Sequence, residues 1–377
     1  MRRFDFPLLK EITFLDSGAG TLKPIPVINK IVEYYTEYPL NMHSIDSELG
    51  VKLYEKFIDA RKTVADLVDA IPEEVIFTSG TTDGLNRLAR MFETFINKGD
   101  KIVVSQYNHS SNATPWVALG KRTGAEVIFS DNLFDDIDEK TKIVAYSQIN
   151  NSINQEIDPD ELATKVEEMG ALLVNDAAQA INSTKVSLDN SDVITISGTK
   201  IYGPTGVGAL IIKKELLSLL KPTTYGGGAV VKYSENNIIF KDSIAAFEAG
   251  SLNAAGILGM AEGIKYMNKY DDFDRKKDLS EFAYNELKKL GNIKILSQPR
   301  DVNVLFTVEG YEAQDVVSYL GHRKIILRAG KHCALYIYDK IGVPGAIRMS
   351  FGLYNNEDDI LKVIEAIKNG GDFIEGL

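Results

Sequence analysis

"DVITISGTKIYGPTGVGALIIKK", residues 192–214, sets two short apolar runs on either side of a turn that carries one lysine, Lys200. Neither run alternates cleanly between apolar and polar residues, so each reads as a strand covered on both faces. Small and hydroxylic residues, Ser197, Gly198 and Thr199, precede the lysine, and a Gly/Pro turn follows it. An unpaired lysine at the end of a buried strand is costly. Two readings remain: a surface lysine at a loop edge, or an amine with a lowered pKa that can form a Schiff base.

The same apolar pattern recurs upstream in "EEVIFTSG" (73–80), "DKIVVSQ" (100–106), "AEVIFS" (125–130), "TKIVAYSQ" (141–148) and "ALLVND" (171–176). Helical spacing appears between and before them, in "GVKLYEKFIDARKTVADLVD" (50–69), "TTDGLNRLARMF" (81–92) and "PDELATKVEEMG" (159–170). The alternation predicts an α/β fold with a mostly parallel central sheet flanked by helices. After "FEAGSLNAAGILGMAEGIKYM" (247–267) the chain changes to a charged helix, 270–290, and then to mixed strands and helices. That mixture reads as a smaller α+β domain. The expected division is a large domain over 16–257 and a small one formed by 1–15 with 258–377.

The 377 residues hold 53 acidic and 42 basic side chains, a net charge of -11, which argues against a nucleic-acid or anionic-membrane partner. One cysteine, Cys333, allows no internal disulfide and points to a reducing compartment. "MRRFDFPLLKEITFLD" (1–16) is broken by Asp5, Pro7 and Lys10, unlike the apolar stretch of a signal peptide. No apolar run is long enough to span a bilayer. The expectation is a cytoplasmic protein.

Ligands of parallel sheets sit beyond the carboxyl ends of the strands, so the polar residues there carry the functional signal. After "VIFT" come Thr81 and Thr82 at a helix start, which is either an ordinary cap or an anion site for phosphate. After "ALLV" comes Asp176, with Gln179 three residues on. A carboxylate there caps a helix, binds a metal, or pairs with a cationic ring; no second carboxylate or histidine stands at ligand spacing, which disfavours metal. A phosphate site, a carboxylate and a lysine on successive strand ends form the set that pyridoxal 5'-phosphate needs.

"RAGKHCALY", 328–336, holds Cys333 beside Arg328, Lys331 and His332. A free cysteine is commonly a small buried hydrophobe. Basic neighbours on a loop-like segment favour a reactive thiolate instead.

These motifs resemble the class V aminotransferase superfamily of fold-type I pyridoxal-phosphate enzymes, and within it the cysteine desulfurase/selenocysteine lyase branch. The match runs in order through "FLDSGAGTLKP", "FTSGTTDGLN", "SQYNHSSNATPW", "SQINNS", "VNDAAQ", "SGTKIYGPTGVG", "GGG", "FEAGSLN", "RAGKHCA" and "IRMSFGLYN". The resemblance implies that Lys200 is the Schiff-base lysine and proton shuttle, that Asp176 pairs with the pyridine nitrogen, and that Gln179 contacts the ring hydroxyl. It implies that His109 stacks on the ring, and that Thr81, Thr82, Ser197 and Thr199 hold the phosphate. Ser251 matches a position that reaches the phosphate of a partner subunit, implying a homodimer with shared active sites. Asn151, Arg348 and, less closely, Arg328 match substrate-binding positions, and an arginine fork suits an α-carboxylate. Cys333 matches the sulfur acceptor. The implied activity turns L-cysteine, or L-selenocysteine, into L-alanine, with sulfur passing to Cys333 and onward to a second thiol or an acceptor protein.

The chain departs from the branch at Thr199, Ser110 and Lys331, where histidines are usual. It also departs at Asn154 for a glycine, Tyr336 for a proline, and Ser44 for an arginine after His43. The changes gather around the substrate, leaving open a class V aminotransferase or β-lyase with another amino-acid substrate. A sulfur-carrier or assembly subunit with little activity is the reading from a different class.

Overall fold

The computed structural model describes residues 2–42 and 44–370; the expectation at His43 lies outside the described residues. Seven strands form the large sheet: β1 Val75–Thr78, β2 Lys101–Ser105, β3 Glu126–Ser130, β4 Thr141–Tyr146, β5 Leu172–Asp176, β6 Val193–Ser197 and β7 Gly208–Ile212. Their spatial order is β1-β7-β6-β5-β4-β2-β3. The four pairings from β6 to β3 are parallel, and β7 runs antiparallel to both β6 and β1. The mostly parallel sheet expected from the sequence is therefore present.

The opening stretch shows why these strands are apolar throughout. In β7, Ala209 and Ile211 face one apolar cluster, with Leu53, Phe57 and Ile257 from helices Glu48–Asp66 and Ala254–Tyr270. Leu210 and Ile212 face the opposite cluster, with Leu85 and Leu88 from helix Thr81–Met91. Successive side chains point to opposite faces of a strand, so a sheet covered twice favours apolar residues at successive positions, with the buried polar side chains of Asn175 and Thr195 as exceptions. Truncating one of these core side chains to alanine costs about 2–5 kcal/mol.

A second sheet of four strands, β8 Ile293–Ile295, β9 Asn303–Val308, β10 Arg328–Gly330 and β11 Ala346–Ser350, has the order β8-β9-β11-β10. All its pairings are antiparallel. Helices Phe273–Lys288, Ala313–His322 and Glu357–Lys368 share its apolar cluster.

The N-terminal strand Thr13–Phe14 pairs in parallel with Ile325–Ile326, and Asp16 forms a bridge to Ser350. These pairings hold residues 16–19 between the two sheets, where the site is built. A hairpin, Val230–Ser234 with Asn237–Phe240, projects Val231 and Tyr233 into solvent at 69% and 76% exposure. Among the described residues, no helix is long and apolar enough to cross a membrane.

Candidate active site

The carboxyl ends of β1, β5 and β6 open into one cleft of about 290 Å³ that the small sheet closes from the other side. Thr81, Thr82, His109, Asp176, Gln179, Ser197 and Lys200 reach it from the large sheet. Asn151, Arg328, Cys333 and Arg348 line the same cleft.

Lys200 follows β6 in a short 3-10 turn, Gly198–Lys200. Its Nζ donates to the carbonyls of Gly18 at 2.6 Å and Ala19 at 2.8 Å. Burial lowers its pKa to about 8, and Arg348 adds to the shift. The amine is thus a poor cation by lysine standards, held by neutral carbonyls. Gln179 Nε2 donates to the same Gly18 carbonyl at 2.8 Å.

Asp176 ends β5 inside the protein at 5% exposure. Its Oδ1 accepts from Ala178 N at 3.1 Å. Burial raises the pKa to about 6, opposed by the Ala178 hydrogen bond and by Lys200. A carboxylate so poorly solvated attracts a cationic group.

His109 is held neutral: burial lowers its pKa to about 4, with Lys200 and Arg348 adding to the effect. Ser111 N donates to His109 Nδ1 at 3.0 Å, which puts the proton of the neutral ring on Nε2.

Helix Thr81–Met91 points its N-terminus at the cleft. Its first position is preceded by Gly80, with φ of +148° and no side-chain cap. Strand β7 passes close by: a Cβ on Gly208 would lie 2.7 Å from Gly80 Cα, so the crossing requires glycine. Thr81 N donates to Ser197 Oγ at 3.0 Å, and the hydroxyls of Thr82 and Ser111 lie 2.7 Å apart. Hydroxyls and a positive helix end make a phosphate-type site.

Arg348, on β11, is 2% exposed. Its Nη2 donates to Asp16 Oδ1 and its Nη1 to the Asn151 carbonyl, both at 2.9 Å. Its Nε and Asn151 Oδ1 have no partner among the described residues. Gly18 leaves room for the guanidinium, since a Cβ there would lie 3.0 Å from Arg348 Cζ. Arg328 sits directly across the ladder from Arg348 and donates to Asp16 Oδ2 at 3.1 Å. Asp16 therefore bridges two like charges that would otherwise repel across the strands. The sequence reading missed this role of Asp16; no local pattern marks a carboxylate 312 positions away from its arginine.

Cys333 is exposed at the cleft, between the end of β10 and helix Leu335–Ile341. The cations that the sequence set beside it are engaged elsewhere. Lys331 pairs with Asp339. His332 is buried, and burial, with Arg348, lowers its pKa to about 3. Its Nδ1 lies 3.1 Å from Tyr338 Oη and its Nε2 3.4 Å from the Arg328 carbonyl, so it is a neutral strut and no cationic neighbour of the thiol.

Two expected residues lie outside the cleft lining. Thr199 turns away, its Oγ1 accepting from Lys23 Nζ at 3.3 Å. Ser251 is exposed, accepts from Asn41 Nδ2 at 3.3 Å, and borders a separate groove. Asn151 lines the cleft, but its Nδ2 donates to the His332 carbonyl. Asn154, a departure from the branch, accepts from Asn150 N at 3.1 Å and closes the turn that carries Asn151.

A lysine, a buried acid and a neutral histidine around an anion site, on strand ends of this topology, define a fold-type I cofactor site. Residues 13–363 match the model of the family described as Aminotransferase class-V, and the chain belongs to that family. A probable cysteine desulfurase of Pyrococcus abyssi is 34% identical over 95% of this chain and 94% of its own length. A second, from Ureaplasma parvum, is 32% identical over 98% and 96%. The apo structure of a cysteine desulfurase from Thermococcus onnurineus superposes with a TM-score of 0.92 at 29% identity, covering 100% of this chain and 98% of that one.

Proposed function

We propose that this protein is a pyridoxal-phosphate-dependent cysteine desulfurase that converts L-cysteine to L-alanine and leaves the sulfur as a persulfide on Cys333. The observation that carries the reading is the convergence of Cys333 with Lys200, Asp176 and His109 on one cleft.

The residues present suit the cofactor. Thr81, Thr82 and Ser197, around the helix N-terminus, would hold its phosphate, without Thr199, whose hydroxyl is turned to Lys23. Asp176 would pair with the protonated pyridine nitrogen, which supplies the cation its burial calls for, and Gln179 and neutral His109 would hold the ring. When bound, the cofactor supplies an electron sink for the substrate's Cα.

The chain does the rest. Lys200 Nζ, with its depressed pKa, would be the amine that holds the cofactor and the base that moves the proton removed from Cα. Arg348, with its unpaired Nε, receives the substrate carboxylate; Arg328 and Asn151 border the same space. The Cys333 sulfur attacks the substrate sulfur. An S–S bond forms, the Cβ–S bond breaks, and Cβ keeps the electron pair and takes a proton, so alanine leaves and one sulfur stays on the enzyme. A second thiol, free or on an acceptor protein, then attacks the outer sulfur, so that a new S–S bond forms on the acceptor and the Cys333 thiol is released. L-selenocysteine enters by the same route.

Ser251 serves the active site of a second copy, making the enzyme a homodimer with shared sites. Its place on a separate groove, outside the lining of its own cleft, and the exposed apolar side chains of Val32, Tyr35, Val231 and Tyr233 support this. A free thiol as catalytic group suits a reducing cytoplasm.

The test is to load the protein with pyridoxal phosphate, add L-cysteine, and assay alanine and Cys333 persulfide in wild type and Cys333→Ala. Both products should form in the wild type and neither in the variant, with the cofactor still bound. Equal alanine from both proteins would sink the role of Cys333. Borohydride reduction followed by peptide mapping should mark Lys200.

A further inference from the structure

The carbonyl oxygen of Cys333 accepts two hydrogen bonds from a single residue, Ser110: one from its backbone N at 2.8 Å and one from its Oγ at 2.7 Å. The segment they grip has an unfavourable backbone. His332 and Cys333 are consecutive non-glycine residues with φ of +52° and +60°. L-residues enter this left-handed region at a cost and stay there only when their surroundings hold them. The His332 carbonyl is gripped as well, by Asn151 Nδ2.

The origins of the two sides matter. Cys333 follows β10 of the small sheet, whereas Ser110 follows His109 in a 3-10 turn beyond β2 of the large sheet. The link therefore ties the thiol to the histidine beside the lysine and acid, across the gap between the sheets. A rigid tie of this kind sets the approach of one reacting atom to another.

We propose that Ser110 is a positioning residue for Cys333, holding its backbone in the left-handed turn that keeps the thiol at the cleft. The proposal rests on the reading of Cys333 as the sulfur acceptor.

The experiment compares wild type, Ser110→Ala, Ser110→Thr and Cys333→Ala, all loaded with pyridoxal phosphate. Three quantities are read: kcat and KM for L-cysteine, Cys333 persulfide after a single turnover, and amide exchange of residues 330–336. Losing one neutral hydrogen bond should lower kcat and persulfide yield about three- to tenfold with KM unchanged. Exchange of the Ala334 amide, bonded to the Lys331 carbonyl at 2.9 Å, should quicken by a similar factor. Ser110→Thr, which keeps the hydroxyl, should restore both. Wild-type kcat and exchange in Ser110→Ala, or no rescue by threonine, would overturn the proposal. So would loss of cofactor absorbance in Ser110→Ala, because the residue would then act on the cofactor. If Cys333→Ala retains full activity, the desulfurase reading falls; faster exchange in Ser110→Ala would still support the tether.

Discussion

Replacing Asp176 with asparagine should stabilise the cofactor-free protein while weakening its hold on the cofactor. The side chain is buried, and its pKa rises from 3.8 to about 6 because the carboxylate loses water and gains little in return. A group that binds protons more tightly folded than unfolded makes stability fall as pH rises between the two values. Below pH 3.8 the acid is protonated in both states and carries no penalty. By pH 8 the full shift applies, worth about 3 kcal/mol; at pH 5 about half of that is already present. Asparagine is neutral at every pH, so its gain over the wild type should roughly double between pH 5 and pH 8, where it reaches about 3 kcal/mol. Urea unfolding of both cofactor-free proteins across this range measures it. Titration with pyridoxal phosphate should show the opposite order of affinity, because the buried acid is then matched by a cation. A variant that is less stable than the wild type at pH 8, or a difference that does not change with pH, would refute the reasoning.

The attachment of pyridoxal phosphate to the cofactor-free protein should quicken as pH rises toward about 8, where Lys200 loses its proton. The rate at pH 8 should exceed that at pH 6 by about fiftyfold, read from the growth of the visible band. Asp16→Asn leaves Arg328 and Arg348 facing each other unbridged. Breaking a buried pair in this way costs about 3 kcal/mol or more, visible as a lower urea midpoint. Glu248→Ala removes a carboxylate that takes two hydrogen bonds from buried Arg61 and one from Phe77 N. The expected loss is about 3–5 kcal/mol, and Glu248→Gln should recover part of it.

The seven strands of the large sheet were legible because both of its faces are covered, which forces apolar runs on the chain. The ends of β1, β5 and β6 were legible for a related reason: in a parallel sheet the strand end fixes where the following residue points. Lys200, Asp176 and Thr81 could therefore be placed together from one dimension. The segment around Cys333 was misjudged in its electrostatics. Its neighbours along the chain include a lysine and a histidine, yet folding gives the lysine to Asp339 and buries the histidine against Tyr338.

By itself, the sequence determined the sheet, the order of its strands along the chain, and the residue types that meet at its edge. Those follow from local periodicity and from the rule that ligands lie beyond strand ends. Only the tertiary structure decided that Asp16 joins two arginines, that Ser110 grips the Cys333 carbonyl, and that Thr199 turns away from the cleft. Each depends on segments far apart in the chain meeting between two sheets, and the chemistry of such a contact is set by distance and burial, which no local pattern encodes.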